Sequence, residues 1–400
     1  MKQPKTPTKR PHLNDIRATN RARILELLLQ HGAASRKDLS LRLELTNATI
    51  SRITKELIDD GVCYEGESYR SENQLGRHQT DIFINPEGGF VIAICISAFS
   101  QIVRIADLSG KTRYQTEIPV KDVESPEAAV KFISSYIDKT VSDNALNREK
   151  ILGAVLAIAG STNVKTGYLN QSPLLKWSNF PIGEKLCEHL SCPIRVENIA
   201  DTLCFNYMEE NKLKDSSSLN IFLIHIAIGM GASLAIEGRI VRRRGNEGLI
   251  GKIPASSSQD HSKNFKRLDQ VSSGLAILQR LESPDYGKKD TFSTITKDFQ
   301  AAVKSSNIKS GLEERVFLEA GQTLGESLMA LTVAYAPDII VLEGPVVDSG
   351  SFCEGAINSY KKITKGTDIE NTEFLINKTS YIEATQNLAL REYLCKAIMG

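Results

Sequence analysis

Four hundred residues allow two or three domains and a large buried core, and 41% hydrophobic with 24% charged residues is the composition of a soluble globular chain. A formal net charge of +1 excludes a global field that would draw nucleic acid or membrane, but residues 1–37 hold nine Lys and Arg against two acidic residues, a local +7 that leaves −6 for the rest. Seven cysteines without a C-x-x-C pair fit reduced thiols in a cytoplasmic protein, and no apolar run is long enough for a secretory leader or a membrane span.

In chain order, residues 1–14 read as a basic flexible arm. The charge alone leaves two readings open, a nucleic-acid contact or a solvated tail. The stretch N-R-A-R-I-L-E-L-L-L-Q-H-G (20–32) is a helix closed by Gly32. Ser35 caps a second helix, R-K-D-L-S-L-R-L, with Leu39 and Leu43 one turn apart. Thr46 starts a third, with Ile50, Ile53, Leu57 and Ile58 on one face and Gly61 at its end. Asn47, Thr49, Ser51, Arg52 and Lys55 remain for other faces. Residues 62–86 read as two strands around a polar loop.

Three helices with a tight turn between the last two, then a two-stranded wing, spell a winged helix-turn-helix over 15–84. Its third helix would enter a major groove and read base edges with its N-terminal residues. The expected DNA-contacting residues are Arg36, Thr46, Asn47, Thr49, Ser51, Arg52 and Lys55. Arg77, after Gly76 in the wing, is placed to enter a minor groove. A plain three-helix module would also leave polar residues at 46–52; the complete unit behind a +7 arm favours double-stranded DNA. Glu56, Asp59 and Asp60 limit the phosphate approach to the first two turns.

From residue 90 the pattern becomes α/β. Segments 90–97 and 102–110 form a hairpin, 126–141 a helix, and 151–160 a buried strand. The strand I-R-V-E-N (194–198) meets a helix at 199–210. A second strand set starts at 220, helices fill 267–282, 288–306 and 312–336, and P-D-I-I-V-L-E-G-P (337–345) is a strand with a Gly turn. Two sheet-and-helix lobes facing a cleft would bind a ligand between them.

Several stretches now carry a resemblance. They are N-R-A-R-I-L, S-R-K-D-L-S, G-R-H with I-N-P, D-L-S-G, W-S-N-F-P-I, V-E-N-I-A-D, G-M-G-A-S-L-A-I-E-G-R-I and G-N-E-G-L-I-G-K. In order and spacing, the chain resembles the ROK family of repressors and sugar kinases, in particular its sugar-responsive repressors. The resemblance implies an actin-like, hexokinase-type two-lobe domain over 85–400. Lobe 1 would take about 85–200 plus a C-terminal helix at about 380–400, and lobe 2 about 201–379. It also implies a homodimer or homotetramer.

A sugar kinase of that family needs four features, and each is altered. The first phosphate loop, C-I-S-A-F-S-Q (95–101), has no Asp, Gly or Thr, and Phe99 is bulky. The catalytic-base position is Ile199, which cannot accept a proton. The second phosphate loop keeps Gly229 and Gly231 but has Ile228 for Thr; the glycines are expected to serve packing. The sugar and zinc motif has become G-N-E-G-L-I-G-K, with Leu249 for Glu and Lys252 for His, and the loop after it has no cysteine, only His261. No catalytic residue, no cofactor and no structural zinc are therefore expected. What remains is an effector cleft bearing Glu197, Asn198, Asp201 and Lys252 near the arginine run 242–244. Lys252 would suit a sugar or anionic sugar derivative. The same residues in purely structural pairs, with no effector, are the alternative. The expected function is a transcriptional regulator, a repressor of carbohydrate-related genes on a pseudo-palindromic operator. The rivals are a ligand-blind regulator whose C-terminal domain only dimerises or binds a protein, and an active sugar kinase.

Overall fold

The computed structural model describes residues 13–67, 80–211, 219–242, 248–255, 266–288 and 291–394. The first unit comprises α1 (Leu13–His31), β1 (Ala33–Ser35), α2 (Arg36–Leu43), α3 (Asn47–Asp59), β2 (Cys63–Glu67) and β3 (Thr80–Ile84). Its strands form a sheet in the order β1-β3-β2. Ser35 and Asp38 make a reciprocal capping box at α2, and Thr46 caps α3 through the Thr49 amide at 3.2 Å. Ile24, Leu25, Leu28, Leu39, Ile50, Ile53, Leu57 and Ile82 fill one core. The wing loop 68–79, which carries Arg77, and the arm 1–12 lie outside the described residues.

The remainder is built twice on one plan. The first half has β4 (Phe90–Ile96), β5 (Gln101–Asp107), β6 (Thr112–Glu117), α4 (Pro126–Asp143) and β7 (Ile151–Ile158). Then come a small sheet of β8 (Ser161–Asn163), β9 (Tyr168–Ser172) and β10 (Trp177–Phe180), α5 (Ile182–Leu190) and β11 (Ile194–Asn198). After α6 (Ile199–Asn211) the second half follows with β12 (Ile221–Ile226), β13 (Met230–Ile236), β14 (Arg239–Ile240), α7 (Asp269–Ser272), α8 (Gly274–Leu281), α9 (Phe292–Ser305) and α10 (Leu312–Tyr335). It closes with β15 (Ile339–Glu343), α11 (Gly350–Thr364), β16 (Glu373–Ile376) and α12 (Tyr381–Ala389). The sheet orders are β11-β7-β4-β5-β6 and β16-β15-β12-β13-β14. Each is an antiparallel meander extended by two parallel crossover strands, so the two halves share one topology. Helices α6 and α12 pack between the sheets, where Ile199, Leu203, Ile382 and Ala384 meet Ala93, Ala157, Leu223 and Val341.

Three differences from the sequence expectations have local causes. The helix expected over 267–282 is broken at Ser273, whose extended backbone and side chain cap α8 at the Ala276 amide. The helix expected from 288 starts at Phe292, where Thr291 is the cap. The strands at 112–117 and 161–180 were not expected, because they are short and half-exposed, with little apolar content. Helices α10 and α11 touch backbone to backbone: a Cβ at Gly321 would stand 2.1 Å from the Phe352 carbonyl oxygen, and one at Gly325 2.2 Å from that of Ala356. No described helix is long and apolar enough to cross a membrane. Burial pushes the Cys63, Cys95, Cys192 and Cys204 thiols up to about 12, so these groups are inert packing residues.

Candidate nucleic-acid interface and interlobe cleft

Helix α3 buries Ile50, Ile53, Thr54 and Leu57 completely. Its opposite face exposes Asn47, Ser51, Arg52 and Lys55, with Thr46 exposed at the cap and Thr49 half-buried. The Thr46 and Thr49 hydroxyls share a hydrogen bond of 2.9 Å. Arg52 and Lys55 form no ion pair with a described residue. Arg36 is differently employed. Its Nε donates to the Thr54 hydroxyl at 3.1 Å, and its guanidinium pairs with Glu65 of β2 at 2.5 Å. It ties α2, α3 and the wing together. The acidic end of α3 is discharged from α1: Arg17 pairs with Glu56 at 3.0 Å, and Arg21 with Asp60 at 2.6 Å. Of the nine basic residues in 1–37, Arg17, Arg21 and Arg36 are thus paired with carboxylates inside the unit, while Lys2, Lys5, Lys9 and Arg10 lie outside the described residues.

The cleft side is built where β11 runs into α6. Glu197 is fully buried, and its Oε2 accepts from Arg195 at 2.6 Å and from Arg242 at 2.8 Å. Arg195 also pairs with Glu392 at 2.6 Å. Burial alone lowers the Arg195 guanidinium, but the two carboxylates outweigh it, and its pKa ends above the ordinary value. Asn198 holds the start of α6: its Oδ1 accepts from the Asp201 amide at 2.8 Å, and its Nδ2 donates to the Asp201 carboxylate at 2.9 Å. Lys252 stands apart from this cluster in a pair with Asp269 at 2.9 Å, which Arg267 shares at 3.0 Å. Glu197, Asn198 and Asp201 therefore come together, and Arg242 joins them from the arginine run. Arg243 and Arg244 lie outside the described residues. Ile199 faces away from the charges into the apolar layer between the sheets.

The loop after β4 is closed on itself. The Ser97 hydroxyl accepts the amides of Phe99 at 3.2 Å and Ser100 at 3.0 Å, which occupies the groups a phosphate would use. Phe99 packs edge-on against Phe299 with ring centroids 6.1 Å apart. In the loop after β12, Ile228 is buried in the core. Gly229 and Gly231 were expected to serve packing, yet a Cβ at Gly229 would meet nothing within 4 Å and one at Gly231 only the Gly248 carbonyl at 3.9 Å. The required glycine is Gly248, with φ +72° and its would-be Cβ 1.9 Å from the Ala232 carbonyl oxygen.

A cleft of about 660 Å³ opens beside Phe99, between Lys304, Glu343, Asp348, Lys378 and Tyr381. Glu343 was not singled out in the sequence. Its carboxylate accepts from the amides of Gly344 at 3.2 Å and Thr379 at 3.1 Å, and from Asn377 at 2.6 Å. Across the β12–β15 pair stands His225, whose Nε2 shares a 2.6 Å hydrogen bond with the Tyr381 hydroxyl.

The sequence profile described as ROK family matches residues 92–382, and one described as winged helix-turn-helix DNA-binding matches 18–62. The chain belongs to the ROK family. The xylose repressor of Caldicellulosiruptor bescii is 22% identical over 342 residues, 82% of this chain and 83% of that protein. The DNA-binding transcriptional dual regulator NagC of Escherichia coli K12 is 24% identical over 359 residues, 86% of this chain and 84% of its own. Among solved structures, a ROK family transcriptional regulator homologous to the E. coli MLC protein superposes with a TM-score of 0.73 at 21% identity, covering 96% of this chain and 99% of that one. The ROK hexokinase of Thermus thermophilus gives 0.57 at 17% identity over 78% of this chain and all of that one. The fold is thus the actin-like one of the ROK kinases, preceded by a winged helix-turn-helix.

The zinc expectation concerns the loop after Lys252, of which residues 256–265 lie outside the described residues. Among the described residues no group of three or more His, Cys, Asp and Glu side chains could hold a metal ion, and His261 lies outside them. The 660 Å³ cleft brings a titration instead. Burial pushes the Glu343 carboxyl up to about 7, although the Thr379, Gly344 and Asn377 hydrogen bonds pull it back in part. A folded carboxyl raised above its unfolded value contributes stability that is full below the unfolded pKa and lost as pH rises through about 7. His225 runs the other way: burial lowers it to about 4, so its contribution is present above its unfolded pKa and lost as pH falls toward 4. Between about pH 5 and about pH 8, Glu343→Gln should therefore flatten the fall in melting temperature, by up to ~2–3 kcal/mol of stability at the alkaline end. An identical slope in the variant and the parent, measured by calorimetry, would show that Glu343 does not titrate in this window.

Proposed function

We propose that this ROK protein is a cytoplasmic, DNA-binding transcriptional repressor of carbohydrate-related genes, with a ROK domain that assembles the protein and does no phosphoryl transfer. The observation that carries it is the α3 face of Asn47, Ser51, Arg52 and Lys55: exposed, polar, and cationic without an ion-pair partner among the described residues. The repressor names of its relatives support the same reading. Two such domains in a homodimer or homotetramer would meet half-sites one DNA turn apart, ~34 Å, so the operator should be pseudo-palindromic. Thr46, Thr49 and Arg77 are further proposed contacts, while Arg36 would act through the shape of the domain. Loss of catalysis is supported by the self-capped Ser97–Ser100 turn and by Ile199 at the place of the base. A coupled assay with ATP and a panel of free sugars should give no turnover; turnover with any of them overturns this part of the reading.

Effector sensing is proposed for the Glu197, Asn198, Asp201 and Arg242 cluster, with Lys252, which stands apart in its pair with Asp269, as a separate contact. The buried Oε1 of Glu197 has no hydrogen-bond partner among the described residues, an acceptor that a hydroxyl-rich ligand would satisfy. A second reading, the ligand-blind regulator, is favoured by the fact that each charged side chain there already has a counter-charge. Thermal shift against sugars, sugar phosphates and sugar acids separates them, since a ligand of the native state raises the melting temperature. A rise with one class supports sensing, and a flat panel supports the second reading.

A further inference from the structure

The interlobe ion cluster and the DNA-binding domain meet the same five residues. After α12 the chain makes a π-helical turn, Leu390–Leu394. Arg391, largely buried, bridges Glu26 of α1 at 2.8 Å and Glu209 of α6 at 2.7 Å. Its neighbour Glu392 pairs with Arg195, which holds Glu197, which in turn holds Arg242 from the second half. Tyr393 donates its hydroxyl to the Ala154 carbonyl at 2.9 Å, fixing the turn to β7. Leu394 is fully buried in the core of the winged-helix unit, beside Leu28 and Leu108.

These contacts divide into two kinds. Leu394 adheres the domain to the body through apolar burial, which is non-directional and tolerates rotation. Arg391 adds a planar guanidinium between two carboxylates from different units, which fixes direction as well as distance. A partly buried bridge of this sort is a poor way to gain stability, because desolvation and solvent screening offset most of the attraction, and its best-attested use is registry. Glu392, the next residue, shares backbone with Arg391, so a shift of Arg195 moves the residue that holds α1.

We propose that Arg391 is a positioning residue that sets the angle at which the winged-helix domain is carried, and that Glu392 ties this angle to the Arg195–Glu197–Arg242 cluster between the lobes. Any change in the hold of Arg242 on Glu197 then reaches α1 through one turn of chain, without unfolding either unit. The consequence for DNA rests on the operator-binding reading; the mechanical connection does not.

Two measurements on the full chain test it. Arg242→Gln touches no residue of the winged-helix unit, yet amide hydrogen exchange should speed several-fold in Leu390–Leu394 and in α1 near Glu26, while α10 and α11 keep the parent's rates. Unchanged exchange in α1 overturns the connection. Uniform acceleration that includes α10 and α11 also counts against it, as undirected loosening. In the second measurement, duplexes with varied half-site spacing are selected from a random pool. Arg391→Gln should keep the parent's half-site sequence but lose about tenfold of its spacing preference; retention of a sharp preference overturns the positioning role. If the parent itself selects no sequence, the operator reading fails, and the exchange result still decides the connection.

Discussion

Arg52→Ala should weaken specific operator binding by ~1–3 kcal/mol, a loss of about 5- to 150-fold, and relax the choice of one base pair. The expectation rests on a contrast among the arginines of the domain. Arg17, Arg21 and Arg36 each pair with a carboxylate of the same unit. Arg52 is exposed in the second turn of α3, between Ser51 and the buried Ile53, and forms no ion pair with a described residue. Its fork is free to bridge two acceptors on a guanine edge, the commonest specific contact in a major groove. The controls point in different directions. Lys55→Ala should weaken binding evenly across sequences and reduce the salt dependence, as loss of a phosphate contact does. Arg36→Ala should lower the melting temperature of the domain before it alters base preference, because it frees Glu65 and Thr54 from α2. Anisotropy titrations on a selected operator at two salt concentrations distinguish the three. Unchanged affinity and unchanged base preference in Arg52→Ala would remove this residue from the interface.

The features legible in the sequence are those written in local patterns. Ser35 and Thr46 announce helix starts because capping needs only a side-chain oxygen three residues ahead of an amide. Ile50, Ile53 and Leu57 show their helical face by spacing alone. Ile199 stands out once V-E-N-I-A-D is set against the family's motif, and the structure gives the reason it is tolerated: the position faces an apolar layer. Pairings between distant elements were not legible. Arg17 and Arg21 are four apart, as are Glu56 and Asp60, and the matched spacing is visible afterwards, but nothing local says that α1 lies beside that stretch of α3 and runs in the same direction. Glu343 hides in a strand, I-I-V-L-E-G-P, that reads as buried and ordinary; a lone carboxylate ending an apolar run was the only clue. Arg391 and Glu392 follow a helix with no motif, and their partners are Glu26, Glu209 and Arg195, between 182 and 365 positions away in the chain, by subtraction of the residue numbers.

Glu197→Ala should be the most destabilising substitution in the cleft. Glu197 is fully buried and is the shared anion of Arg195 and Arg242. Without it each guanidinium is left with one carboxylate: Glu392, at 2.6 Å, for Arg195, and for Arg242 the more distant Asp201, 3.9 Å from its Nε. Removing one partner of a buried ionic group costs ~3–5 kcal/mol, because the remaining charge stays desolvated. For units of this size that lowers the melting temperature by roughly 10 °C. Arg242→Ala should cost less, on the order of 1 kcal/mol, since its side chain is partly exposed and Glu197 keeps Arg195. The ordering matters more than either value. If Glu197→Ala melts with the parent, the carboxylate is not holding the lobes, and its place in the cleft is explained by a ligand. If it melts as expected but Glu197→Gln recovers most of the loss, shape and hydrogen bonding suffice, and the charge itself is what an effector would compete for. Differential scanning calorimetry of the three variants and the parent, with the two lobes' transitions resolved, decides between a cluster that holds structure and one that waits for a ligand.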